Sequence, residues 1–227
     1  VKLSNVAVIL GAGSGTRMKS EKNKMLLDIC GKTVIERSVE NFLNLSDVDE
    51  IIVTVREQDV DEFSKLLTDE RISFVIGGST RQQSVKNAIE TIDDAELVII
   101  HDGARPLVLE DDIDNTIKAA YEFGSAALAV PVKDTVKVVD KNGFVISTPD
   151  RSTLFAVQTP QIFKFDLYKS ALEKATADGR EFTDDCQLLE YAKQKVKLVV
   201  GSYENIKITT PEDIAVAEGI LSKRAEV

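Results

Sequence analysis

The sequence predicts an α/β fold, for three reasons. Apolar runs of strand length alternate with segments whose apolar residues recur at helical spacing. A glycine-rich turn, Gly11-Ala12-Gly13-Ser14-Gly15, directly follows the first apolar run. No internal repeat, linker or low-complexity tract breaks the alternation over 227 residues, a length sufficient for one substantial core. A single domain over 1–227 is expected.

Residues 5–10 (NVAVIL) read as the opening strand. Over 33–45, Ile35, Val39, Phe42 and Leu43 share one face of a helix. Residues 50–55 (EIIVTV) and 72–77 (ISFVIG) are the next strands, and a helix over 80–92 turns Val85, Ala88, Ile89 and Ile92 inward. The strand at 96–102 ends in polar residues, and the helix over 109–124 is closed by Gly124. Another buried strand occupies 124–132.

The rhythm then changes. Strand-forming residues over 134–148 flank Asn142-Gly143, a pair that favours a hairpin turn, so a hairpin arm inserted at about 133–155 is expected. Two helices follow, over 165–179 and from near Thr183, then a strand at 196–201. The closing helix has Thr210 as N-cap, Pro211 at its first position and carboxylates in its first turn.

Lys and Arg total 28 against 38 Asp and Glu, a net charge of −10. That balance argues against nonspecific binding to nucleic acid or an anionic membrane, and it makes local cations informative. No apolar run approaches the roughly 20 residues that span a bilayer. The opening residues lack a signal-peptide cleavage pattern. Cys30 and Cys186 stand among apolar neighbours at no metal-like spacing. Both are expected to be buried thiols in a reducing cytoplasm.

The glycine turn fits neither common nucleotide motif. A dinucleotide fingerprint needs a third glycine where Thr16 stands, and a P-loop needs Gly-Lys where Thr16-Arg17 stand. What remains is a turn of backbone N–H donors with two cations beyond it, Arg17 and Lys24. Such concavities bind anions, and Arg and Lys complement phosphate oxygens.

Seven segments decide among anion chemistries: LGAGSGTRM (10–18), GGSTRQQSV (77–85), HDGARP (101–106), PVKDTVK (131–137), PDRSTLFAVQTPQ (149–161), FTDD (182–185) and NIKITTPED (205–213). In this order they closely resemble the 2-C-methyl-D-erythritol 4-phosphate cytidylyltransferases, over residues 6 to about 222. The resemblance implies a Rossmann-like, mostly parallel sheet with helices on both faces, of the nucleotide-diphospho-sugar transferase kind. It also implies a homodimer joined through the hairpin arms. The implied reaction is Mg²⁺-dependent transfer of CMP from CTP to methylerythritol phosphate with release of pyrophosphate, in non-mevalonate isoprenoid precursor synthesis.

Residue by residue, Arg17 and Lys24 match the family's transition-state stabilisers. Arg151 and Lys207 match the residues that hold the acceptor phosphate, Arg151 reaching the partner subunit's site from just past the hairpin. Ala12, Gly13, Gly15, Gly78, Ser84 and Asp102 match nucleotide contacts, with Asp102 also facing the metal. Arg105, Thr135, Thr159 and Thr183 fall on the acceptor side. The chemistry agrees, because attack by an ionised phosphate needs positioning and cations rather than a protein nucleophile. His101, the sole histidine, is accordingly expected to be structural.

Two departures stand out. The family usually has Pro-Lys-Gln where this chain has Asn23-Lys24-Met25, which predicts a looser loop. The first turn begins Gly11-Ala12 where Ala-Ala is usual, a change expected to be tolerated. The nearest alternative is a ribitol 5-phosphate cytidylyltransferase, which shares the turn and both cations. A non-catalytic nucleotide-binding module is a more distant one.

Overall fold

The computed structural model describes residues 3–13 and 23–226. Among them, seven strands form one sheet: β1 (Asn5–Leu10), β4 (Glu50–Val55), β5 (Ile72–Ile76), β6 (Leu97–Asp102), β7 (Ser125–Pro131), β10 (Phe155–Lys164) and β11 (Lys197–Val200). Their order across the sheet is β11-β7-β10-β6-β1-β4-β5. β1 runs parallel to both β4 and β6, β4 to β5, and β11 to β7. Only β10 is antiparallel to its neighbours. The sheet is thus mostly parallel, as the resemblance implied.

Helices cover both faces because the strands are apolar on both sides. Ala7 and Ile9 of β1 face a core shared with α1 (Val34–Leu43), α2 (Val60–Leu66), α4 (Glu110–Phe123) and α7 (Pro211–Ala225). Val6, Val8 and Leu10 face the opposite core, with α3 (Arg81–Ile89), α5 (Phe165–Ala177) and α6 (Asp185–Tyr191). Alternation along each strand divides the two sets. Local signals set the helix ends. Thr33 and Glu36 form a reciprocal capping box at α1, Gly124 closes α4 at φ 83°, and Thr210 with Asp213 caps α7.

β10 and α2 are among the elements that escaped the sequence reading. β10 is ten residues long and lies between β7 and β6, yet the segment QTPQ inside it looks unlike a strand, since proline is excluded from regular ladders. The register shift between Val157 and Gln161 accommodates it. The seven-residue α2 buries only Phe63, too little to create a visible period.

Cys30 also corrects an expectation. It is exposed, whereas Cys186 is buried. Cys30 and Gly31, at φ 50° and 82°, form the tight turn between β2 (Asp28–Ile29) and β3 (Lys32–Thr33), and that turn projects the thiol outward.

Between β7 and β10 the chain leaves the sheet over residues 132–154. β8 (Val138–Val139) and β9 (Val145–Ser147) pair as an antiparallel hairpin whose turn has Gly143 at φ 87°. Asp140 Oδ1 accepts the N–H groups of Asn142 and Phe144, each at 2.9 Å. The hairpin is apolar but bare: Phe144 is 73% exposed and Ile146 65%.

Candidate active site

From β1 the chain passes to β4 and β5 on one side, then crosses back to place β6 on the other. The carboxyl ends of β1 and β6 therefore flank the point where strand order reverses, the position at which open α/β sheets bind ligands. A cavity of about 540 Å³ opens there, lined by Ala12 and Gly13 after β1, Gly78–Arg81 and Ser84 at the start of α3, and Asp102 at the end of β6. Lys24, Arg56 and Lys207 complete its charged wall. Four cations face one carboxylate among these lining residues, although the whole chain carries −10. Such a local reversal of sign favours an anionic ligand.

Glycine at position 11 is required, not merely tolerated. A Cβ there would lie 2.8 Å from the Thr54 carbonyl oxygen and 3.0 Å from the Phe63 ring. The backbone of the first turn thus packs directly on β4 and α2. On the facing wall, Ser84 Oγ accepts the Gly78 N–H at 3.0 Å and donates to the Thr80 carbonyl at 3.0 Å, which fixes the turn before α3.

Asp102 is the hub of the site. Lys207 Nζ reaches its Oδ2 at 2.6 Å, Arg81 Nε its Oδ1 at 3.3 Å, and Arg105 Nε lies 3.9 Å away. Burial works to raise the Asp102 pKa, but Arg81, Lys207 and Arg105 outweigh it and hold the carboxyl well below the usual carboxylate range. Arg81 in turn donates through Nη1 to Asp185 Oδ2 at 2.7 Å, and Asp185 also accepts from the Tyr168 hydroxyl at 2.6 Å. Desolvation lowers the Arg81 pKa, yet Asp185 and Asp102 more than reverse it, so the guanidinium stays charged.

Beneath this hub lies His101, fully buried. Its Nδ1 is 3.0 Å from Thr159 Oγ1 and its Nε2 is 3.0 Å from the Arg105 carbonyl. Because the carbonyl only accepts, Nε2 carries the proton; Nδ1 then accepts from Thr159, whose oxygen takes the Asp102 N–H at 3.0 Å. Burial pushes the histidine pKa down to about 4. A neutral ring with both nitrogens engaged is structural. The linkage has a definite sign: above pH 6.5 the group is neutral folded and unfolded, and below it only the unfolded chain binds the proton. Between pH 6.5 and 5 this one residue is expected to remove about 1.5 kcal/mol of stability. Urea unfolding of the wild type and His101→Gln at both pH values checks this; an equally steep loss in the variant would refute it.

Residues 5–223 match the family described as IspD: 2-C-methyl-D-erythritol 4-phosphate cytidylyltransferase. The chain belongs to this family. A 2-C-methyl-D-erythritol 4-phosphate cytidylyltransferase of Caldanaerobacter subterraneus subsp. tengcongensis is 47% identical over 223 residues, covering 96% of this chain and 98% of that protein. Among solved structures, the 4-diphosphocytidyl-2C-methyl-D-erythritol synthase of Anaerococcus prevotii superposes with a TM-score of 0.88 at 36% identity, covering 97% of this chain and 96% of that one. The cytidylyltransferase of Thermus thermophilus gives 0.80 at 30% identity, with 97% and 98% covered.

Against the family's motif positions, the fold brings Ala12, Gly13, Lys24, Gly78, Ser84, Asp102 and Lys207 to one cavity. Gly15 and Arg17 lie outside the described residues. Thr159 and Arg105 sit behind the Asp102 wall; Arg105 Nη1 donates to the Asn205 carbonyl at 2.7 Å. Thr135 is exposed at the base of the hairpin, and Thr183 is exposed just before α6. Arg151 follows the hairpin in a one-turn helix, exposed, with Nη1 on the Lys133 carbonyl at 2.8 Å. This chain does not bring it to its own cavity wall. Burial pushes the Cys186 thiol far up, so it is no nucleophile.

Asn23 caps a one-turn 3₁₀ helix, Lys24–Leu26, and Lys24 is only 8% exposed, its Nζ donating to the Ile208 carbonyl at 3.1 Å. Sequence reasoning also passed over Arg81, Asp185 and Arg56. Arg81 and Asp185 lie inside quoted motifs (GGSTRQQSV and FTDD), so the signal existed but their mutual contact did not show.

Proposed function

We propose that this chain transfers CMP from CTP to 2-C-methyl-D-erythritol 4-phosphate, giving 4-diphosphocytidyl-2-C-methyl-D-erythritol and pyrophosphate in non-mevalonate isoprenoid precursor synthesis. The observation that carries the reading is the cation-lined cavity at the strand-order reversal, in a chain of the cytidylyltransferase family. An ionised oxygen of the acceptor phosphate attacks the α-phosphorus, a new P–O bond forms, and the bond to the β-phosphate oxygen breaks to release pyrophosphate. Lys24 and Arg17 neutralise the charge that gathers on the non-bridging and leaving oxygens. Lys207 and Arg151 hold the acceptor phosphate in line. The attacking oxygen is already ionised at neutral pH and needs no base.

The donor set suits Mg²⁺ held mainly by the nucleotide. Among the described residues no three His, Cys, Asp or Glu side chains gather as a metal site, and Asp102 is the carboxylate on the cavity wall. One carboxylate plus substrate phosphates is an arrangement this ion favours. When bound, it supplies charge neutralisation on the phosphate oxygens.

The bare apolar hairpin supports a homodimer in which each arm lies on the other subunit and delivers Arg151 there. The same reading places the enzyme in the cytoplasm, in keeping with its two unpaired cysteines.

The test is pyrophosphate release from CTP and Mg²⁺ with each acceptor. Activity with methylerythritol phosphate is expected; activity with ribitol 5-phosphate alone would overturn the substrate choice. Arg151→Ala is expected to raise the acceptor KM by about tenfold or more, the scale of one lost charged hydrogen bond, with CTP affinity little changed. Mixing Arg151→Ala subunits with Lys24→Ala subunits should restore part of the activity, because one site of each heterodimer is intact. No recovery would rule out the crossing arm.

A further inference from the structure

Lys24 is carried by a turn that two other segments hold from outside. Asn23, 4% exposed, is engaged at both ends of its amide: Oδ1 accepts the Met25 N–H at 3.1 Å, and Nδ2 donates to Asp59 Oδ2 at 2.7 Å. Asp59, 7% exposed, lies at the end of a one-turn helix after β4. It accepts both prongs of the Arg56 guanidinium fork, Nε–Oδ2 at 2.5 Å and Nη2–Oδ1 at 3.0 Å. Arg56 itself lines the cavity. The Lys24 ammonium meets the Ile208 carbonyl, next to Lys207.

The geometry points to Asn23, Asp59 and Arg56 as positioning residues for the transfer: a clamp that fixes the backbone of Lys24 so that its ammonium meets the α-phosphate. This deepens the cytidylyl-transfer reading of Lys24 and rests on it. A lysine is a point charge on a flexible four-carbon stem, so its value in the transition state depends on how firmly its base is held. Asn23 sits at φ −60° and ψ 125°, within the range a proline ring imposes on φ. Side-chain hydrogen bonds do here what a ring does covalently. A buried carboxylate is a costly way to anchor a loop unless fully satisfied, and Asp59 receives three donors.

The test is a double-mutant cycle on the full-length enzyme. Asp59→Ala and Asn23→Ala are made in the wild type and in Lys24→Ala, with folding followed by circular dichroism; Asp59→Asn replaces Asp59→Ala if the latter does not fold. Each clamp substitution is expected to lower kcat by about tenfold with the CTP KM changed less than about twofold, and to lower it by less than about twofold once Lys24 is gone. Equal losses with and without the lysine would overturn the clamp alone, leaving the functional reading intact. Unchanged kcat in Lys24→Ala would overturn that reading, and the clamp with it.

Discussion

Lys24→Ala is expected to lower kcat by about 10²–10³-fold, the scale of one lost preorganised charge-stabilising donor. If the ammonium acts only on charge that develops in the transition state, kcat and kcat/KM fall together and the CTP KM stays nearly constant. Lys24 is not a surface residue, however, so the substitution carries a structural cost as well. The Ile208 carbonyl loses a donor in a buried setting, a loss of about 1 kcal/mol. Steady-state kinetics beside urea unfolding separate the two effects. Turnover near the wild-type value in a folded variant would refute the catalytic assignment.

Asp102 is expected to show the second large effect, in stability and activity together. Asp102→Ala removes the carboxylate that Lys207, Arg81 and Arg105 share, leaving three cations crowded at the end of β6. Removing one partner of a buried ion pair costs about 3–5 kcal/mol; here about 2–3 is expected, because Lys207 and Arg81 keep partial contact with solvent. Turnover should fall by about 10²-fold or more, since Lys207 loses the carboxylate that positions its ammonium at the cavity wall. Asp102→Asn keeps the shape and removes the charge. A melting temperature and kcat equal to wild type in Asp102→Asn would show that the charge is dispensable.

The pH signature follows from the depressed pKa. The stabilisation from Asp102 is complete above the ordinary carboxylate range and is lost only as pH falls through its lower folded value. It therefore disappears in stronger acid than the contribution of His101, which fades between pH 6.5 and about 4.

The strand–helix alternation was legible because each period lies within a dozen neighbouring residues. Ile35, Val39 and Phe42 describe their buried face, and Gly124 and Pro211 mark helix ends through backbone geometry of their own. Where the local pattern misleads, the error is equally local in origin. Pro160 concealed β10, whose membership in the sheet rests on hydrogen bonds from β6 and β7 rather than on its own residues. Cys30 has apolar neighbours yet sits at a turn that turns it outward.

Collinear motifs likewise supplied residues that the fold gathers around one cavity, since a motif is a run of adjacent residues. The contacts that tune it are not adjacent. Asn23 meets Asp59 across 36 positions, Arg81 meets Asp185 across 104, and Lys207 meets Asp102 across 105. Hydrogen bonding and charge neutralisation act over a few ångströms in space and carry no trace along the chain. Only the folded sheet, with β6 on one side of β1 and β4 on the other, puts such distant residues within reach, so reading the residues one after another yields the kind of chemistry, and folding supplies its geometry.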